Sequence, residues 1–174
     1  MDKIQIFDDF FTEEELNKIL DFFDNAKWNC LCHTRPNVDI TTDKPFWRYE
    51  LENEPLFAEY LNEVVAKKIF KKKNKLDRMY SVGQMYGQDS NYHPDNSSEN
   101  TYTFCFYINT ERVVEEDAGG YFFLKVPGNN YKVAIDPKMN RGVLFPSRYY
   151  HKGTGFNILN SKFRICIAWK FEII

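Results

Sequence analysis

The 174 residues hold one domain's worth of core and are too few for two comfortable ones. A formal charge of −2 argues against a general electrostatic grip on nucleic acid, and no stretch approaches the roughly 18 apolar residues of a membrane span. Four cysteines are too sparse for a disulfide framework, and the opening Met1-Asp2-Lys3-Ile4-Gln5 lacks the apolar run of a secretion signal, so a soluble, intracellular (cytoplasmic) protein is expected.

Thr12 followed by Glu15 forms a capping box, and Phe11 can pack on Leu16, so the spacing predicts a helix starting here with Leu16, Ile19, Leu20 and Phe23 on one face. Trp47-Arg48-Tyr49-Glu50-Leu51 alternates as an edge strand would. A second helix is expected from about Pro55, with Phe57, Tyr60, Leu61, Val64 and Val65 at helical spacing. The polar run Lys71-Lys72-Lys73-Asn74-Lys75 should end it as a solvated helix terminus.

From Met79 onward short aromatic and β-branched runs alternate with turn residues, the pattern of a sandwich or barrel. The expected strands are 79–82, 102–109, 120–125, 131–135, 142–145 and 163–171, with turns at Gly119-Gly120, Gly128-Asn129-Asn130 and Pro137 to Asn140. The fold class is α+β, mainly β, in one domain over 1–174, with a helical part to about residue 78 and a β core after it. Parity divides two strands. Arg164, Cys166 and Ala168 oppose Ile165, Ile167, Trp169 and Phe171, while Thr103, Cys105 and Tyr107 oppose Tyr102, Phe104, Phe106 and Ile108. Small or polar residues on matching faces suit a cavity inside a barrel.

His93 and Asp95, two residues apart on an extended segment, point the same way and can reach one ion, with His151 as the distant third ligand. Two imidazoles and a carboxylate on one face of an octahedral ion leave three positions open, as non-heme Fe(II) oxygenases require. Arg164, inside the last apolar strand, is an anion receptor on this reading and an edge arginine reaching solvent on the plainer one. Cys30-Leu31-Cys32-His33 lacks the second ligand pair of a structural zinc site, and the sequon Asn96-Ser97-Ser98 is accidental without a secretion signal.

Tyr92-His93-Pro94-Asp95, Asp117-Ala118-Gly119-Gly120, Gly142 to Ser147 with His151, and Phe163 to Trp169 together resemble the iron(II)- and 2-oxoglutarate-dependent oxygenases, and among them the prolyl 4-hydroxylases. The opening Ile4 to Trp28 also resembles that subgroup's first strand and helix. The resemblance implies a double-stranded β-helix (jelly-roll, cupin-like) core flanked by N-terminal helices. It further implies that His93, Asp95 and His151 bind Fe(II) and that Arg164 holds the far carboxylate of 2-oxoglutarate with a phenolic hydrogen bond from Tyr107. Tyr80 resembles another tyrosine near the cosubstrate, and Lys162 is a rival anion partner. The implied reaction is hydroxylation with O2, releasing succinate and CO2, with ascorbate supportive. DNA-repair members carry further arginine and asparagine residues after the anion-binding arginine; here Cys166, Ala168 and Lys170 follow. That departure sets nucleobase demethylation behind hydroxylation of a peptidyl or small-molecule target. The prolyl 4-hydroxylase resemblance, with an aromatic mouth of Trp47, Tyr92, Tyr149 and Tyr150 and with Arg48, Arg148 and His33 nearby, favours a peptidyl prolyl or other protein side chain as the substrate. A free amino acid or small metabolite is the alternative, a nucleic acid on the Lys71–Lys75 run the third, and a non-catalytic jelly-roll binding module the rival from another class.

Overall fold

The computed structural model describes residues 3–31, 44–108, 118–158 and 163–174. Helix α1, Glu13–Asp24, begins as the capping box requires: Thr12 Oγ1 accepts from the Glu15 amide at 3.2 Å, and Glu15 Oε2 accepts from the Thr12 amide at 2.9 Å. Its apolar stripe, Ile19 and Phe23 with Leu16 and Leu20, packs among Phe57, Leu61 and Val65. Those three come from a π-helical segment, Leu56–Leu61, that continues as helix α2, Asn62–Ile69. The helix ends before the lysine run, and Asn74 and Lys75 already belong to the next strand, so only the start of that run is a helix terminus. No helix among the described residues is long and apolar enough to cross a membrane.

The strands are β1 (Gln5–Phe7), β2 (Asn29–Leu31), β3 (Phe46–Glu50), β4 (Asn74–Gln84), β5 (Thr101–Ile108), β6 (Phe122–Lys125), β7 (Lys132–Ile135), β8 (Arg141–Pro146), β9 (Tyr150–Gly153) and β10 (Arg164–Ile173). They pair antiparallel in a seven-stranded sheet, β1-β8-β5-β10-β4-β3-β2, and a three-stranded sheet, β7-β6-β9. Three expectations change here. β3 is not the edge, because β2 pairs outside it; β4 begins at Asn74, inside the part expected to be helical to about residue 78; and β2 and β9, too short to announce themselves among turn residues, are strands that sequence periodicity missed.

Alternation in the large sheet decides what lies on each side. Phe104, Phe106, Leu144, Ile165, Ile167, Trp169 and Phe171 face the helices and form the larger core. Cys105, Tyr107, Val143, Phe145, Cys166 and Ala168 face the small sheet and pack with Phe122, Leu124 and Ile135. The parity expected for β5 and β10 is therefore observed, and the cavity lies between the sheets.

Asn140 locks the N-terminal segment to the turn before β8. Its side chain accepts from the Phe11 amide at 2.9 Å and donates to the Phe11 carbonyl at 2.8 Å, and its φ of 60° lies in the left-handed region. Asn140→Ala removes both buried hydrogen bonds and places an alanine in that conformation, so urea unfolding should register a loss of about 2 to 4 kcal/mol. Asn140→Gly, relieved of the strain alone, should lose less.

Candidate metal and anion site

His93 lies just before the turn into Asp95, and His151 lies on β9. Their backbones form an antiparallel bridge, His93 N to His151 O at 3.1 Å and His151 N to His93 O at 3.0 Å. The Asp95 amide donates to Ser147 O at 2.8 Å, which fixes the other end of the segment. One candidate ligand atom from each of His93, Asp95 and His151 lies within 4.8 Å of the others. His93 Nε2 is 4.0 Å from Asp95 Oδ1, and His151 Nε2 is 3.6 Å from Asp95 Oδ2.

The opposite nitrogens set the tautomers. His93 Nδ1 sits 2.8 Å from Asn91 O and His151 Nδ1 2.9 Å from Tyr149 O. A carbonyl only accepts, so each Nδ1 carries the proton and each Nε2 lone pair points toward the carboxylate. This donor set suits a borderline divalent metal with an incomplete coordination sphere.

Asp95 is held on every side. Lys170 Nζ donates to Oδ1 at 2.6 Å and Thr103 Oγ1 to Oδ2 at 2.8 Å, with Ser147 Oγ 2.9 Å from the threonine hydroxyl. Burial alone would raise its pKa, but the charges of His151 and Lys170 and the two donated hydrogen bonds outweigh it and hold the carboxyl at about 2. Burial drives the His151 pKa down to about 4, against the pull of Asp95. Lys170 is raised: burial opposes its charge, and Tyr80 and Asp95 overcome that. Lys170 is one of the residues that sequence reasoning missed, with Gln84 and Arg78, which line the same cavity. The signal of Lys170 was present, since it shares the cavity parity of Arg164, Cys166 and Ala168, and a lysine there needs an acid.

Arg164 is buried, 2% exposed, at the start of β10. Its Nε donates to Gly120 O at 2.6 Å and Nη1 to Gln84 Oε1 at 2.8 Å, and the guanidinium lies 5.1 Å from the Tyr107 ring centroid. No carboxylate pairs with it among the described residues. The edge-strand reading of Arg164 is thus set aside. Among the described residues no nitrogen or oxygen partner meets the buried Tyr107 hydroxyl, whose polar neighbour is the Cys166 thiol; burial pushes its pKa well up, so it stays a neutral phenol, and it is not among the residues that line the cavity. Gly153 makes the space: a Cβ there would lie 2.8 Å from Gln84 Oε1 and 3.1 Å from Arg164 Nη1. Arg164, His93, Asp95 and His151 line one cavity of about 420 Å³.

Tyr80 lines that cavity too, opposite Ala168 and therefore nearer Lys170 than Arg164. The expected aromatic mouth does not form. Trp47 alternates away from the cavity that Phe46 and Arg48 line, Tyr149 is buried between the sheets, Tyr150 takes the opposite parity to His151, and Tyr92 lies against Lys125, Lys132 and Lys152. Arg148 is absent from the lining as well. Cys30 is exposed on β2, while Cys32, His33, Asp117 and Lys162 lie outside the described residues.

No family model and no curated protein matches the chain. Solved structures do. A prolyl hydroxylase from Trichoplax adhaerens, in complex with a hypoxia-inducible factor peptide fragment, matches with a TM-score of 0.70 at 16% identity over 97% of this chain and 83% of that one. An oxidoreductase of the 2OG-Fe(II) oxygenase family from Burkholderia pseudomallei matches at 0.72 with 10% identity over 97% and 85%. The fold is that of the 2-oxoglutarate–Fe(II) oxygenases. HygX from Streptomyces hygroscopicus, with nickel, 2-oxoglutarate and hygromycin B bound, matches at 0.70 with 10% identity over 98% and 82%. The jelly-roll expectation is met, and the helices pack on the outer face of the large sheet as expected for this architecture.

In the metal-free protein His151 stays neutral to about pH 4, whereas an unfolded histidine protonates near 6.5. The unfolded chain therefore binds more protons between those values, and stability should fall as pH drops from about 6.5 toward 4. Urea midpoints across that window check it, and His151→Gln should flatten the slope.

Proposed function

We propose that the protein is an Fe(II)- and 2-oxoglutarate-dependent dioxygenase that hydroxylates a C–H bond of its substrate, with residues 1–174 acting as one catalytic domain. The observation that carries this reading is the shared cavity. Two imidazole Nε2 atoms and a carboxylate converge at one end of it, and a buried guanidinium without an acid partner among the described residues lies in the same enclosure.

His93, Asp95 and His151 would hold the metal. Arg164 would take the far carboxylate of 2-oxoglutarate through its planar fork, and the Tyr107 hydroxyl would donate to the same group. Tyr80 would contribute its hydroxyl nearer the metal. When bound, the metal and cosubstrate supply the reaction with O2 that yields succinate, CO2 and one oxygen atom for the substrate, with ascorbate in support. The protein's share is positional. Asn91 and Tyr149 carbonyls keep both protons on Nδ1, Thr103 and Lys170 keep Asp95 ionised and oriented, and Phe122 and Cys166 line the same cavity.

The substrate is a peptidyl prolyl or other protein side chain, or a small molecule such as a free amino acid. The related folds span both kinds, one in complex with a peptide fragment and one with hygromycin B. Formation of succinate from 2-oxoglutarate with Fe(II) and ascorbate is the expected result; its absence together with no iron binding would sink the proposal, and 2-oxoglutarate binding without turnover would leave a binding module. His93→Ala should abolish metal binding by removing one of three ligands. Arg164→Met should weaken 2-oxoglutarate binding in calorimetry by about 1.5 to 3 kcal/mol, the worth of a charged hydrogen bond.

A further inference from the structure

Tyr80 is ringed by cations. The Arg48 Cζ lies 4.1 Å from its ring centroid, Lys170 Nζ 5.0 Å and Arg78 Cζ 5.3 Å. Two of the three have acids. Arg48 pairs with Glu50, Nε to Oε1 at 2.6 Å, and Lys170 pairs with Asp95. Arg78 is exposed and pairs with no carboxylate among the described residues. Register fixes its place: Arg78 stands opposite Lys170, on the parity of Tyr80, Val82 and Gln84, so it lines the same cavity at the opposite end of the β4–β10 pair from Arg164.

The charges of the filled site make this end unusual. Three negative charges, two from 2-oxoglutarate and one from Asp95, match the two of Fe(II) and the one of Arg164. Lys170 and Arg78 make the sum positive, and because Lys170 already donates to Asp95, Arg78 is the cation beside the Tyr80 ring that has no acid among the described residues. A neutral substrate seated there would strip water from the Arg78 guanidinium without replacing it, which is costly. An acid group would supply the missing partner, and an exposed guanidinium presents the planar fork that carboxylates and phosphates fit.

The geometry points to a substrate that carries an acid group, carboxylate or phosphate, seated on Arg78 beside Lys170 and the Tyr80 ring. This inference rests on the dioxygenase reading and narrows it. Arg78 sets specificity: it positions the acid end of the substrate so that a neighbouring carbon lies over the metal.

The test is stimulation of succinate release above the substrate-free rate by a panel of probes. The panel holds free L-amino acids, four- to six-carbon dicarboxylic acids other than succinate and 2-oxoglutarate, sugar phosphates, and two proline-containing peptides with blocked termini, one neutral and one bearing an aspartate. Only acid-bearing probes should stimulate, and the best class separates a carboxylate from a phosphate source and a free acid from a peptide. Arg78→Gln should raise KM for the best probe by a factor of about 10 to 100, the range expected for a charged hydrogen bond, with partial recovery in Arg78→Lys. Calorimetry of 2-oxoglutarate on the same variants supplies a readout without turnover. Equal stimulation by the neutral peptide, no stimulation by any acid-bearing probe, or an unchanged KM in Arg78→Gln overturns the inference. So does a weakened 2-oxoglutarate affinity with KM intact, which would assign Arg78 to the cosubstrate. Substrate-free succinate release by the wild type separates the two levels: if it is present while the acid probes fail, only this inference falls, and if it is absent with no iron bound, the dioxygenase reading falls first.

Discussion

A carboxylate buried to 4% side-chain exposure is tolerated only where its charge is answered, and Asp95 is answered by the Lys170 ammonium and the Thr103 hydroxyl. Lys170 comes from β10 and Thr103 from β5, while Ser147, just past β8, holds both the Asp95 amide and the threonine hydroxyl, and His151 on β9 presents its Nε2 to the same carboxylate. β5, β8 and β10 must therefore pair in their observed registers for this one charge to be satisfied. A shift of one residue in β10 would carry Lys170 to the helix side and leave Asp95 short of its closest cation.

The same alternation that satisfies Asp95 also hollows out the cavity. Along β10 the side facing the helices carries Ile165, Ile167, Trp169 and Phe171, large enough to fill a core, while the other side carries two small residues between two cations. Space between the sheets is thus the result of a size difference across one strand, and the charged residues sit at its two ends. Gly153 on β9 extends the logic to the facing sheet, where the missing side chain admits the Arg164 guanidinium.

Much of this was legible in the sequence, for reasons that differ by residue. The capping box at Thr12 and Glu15 is a local contact, so local spacing reports it. Long strands declare themselves by parity, which is why the two faces of β5 and β10 were readable. His93 and Asp95 were visible as a pair because two residues on an extended chain share a side. Short β9 was not, since four residues carry too little alternation, and its pairing is decided by β6 and by the His93 bridge. The aromatic mouth failed for a related reason. Aromatic type marks a residue as suited to a sheet but not which side of it, and the alternation around Phe46 and Arg48 sends Trp47 the other way. Lys170 was overlooked because its partner lies 75 positions away in sequence.

The backbone bridge between His93 and His151 has a thermodynamic corollary. Two of the three ligand segments are joined by reciprocal backbone hydrogen bonds before any ion arrives, and the Asp95 amide donates to the Ser147 carbonyl. Ordering these segments is part of folding the chain, so capture of an ion has little conformational entropy left to overcome. Metal affinity in such a centre reflects the basicity and spacing of the donors, whereas in domains that fold around their ion it also carries the cost of assembling the chain.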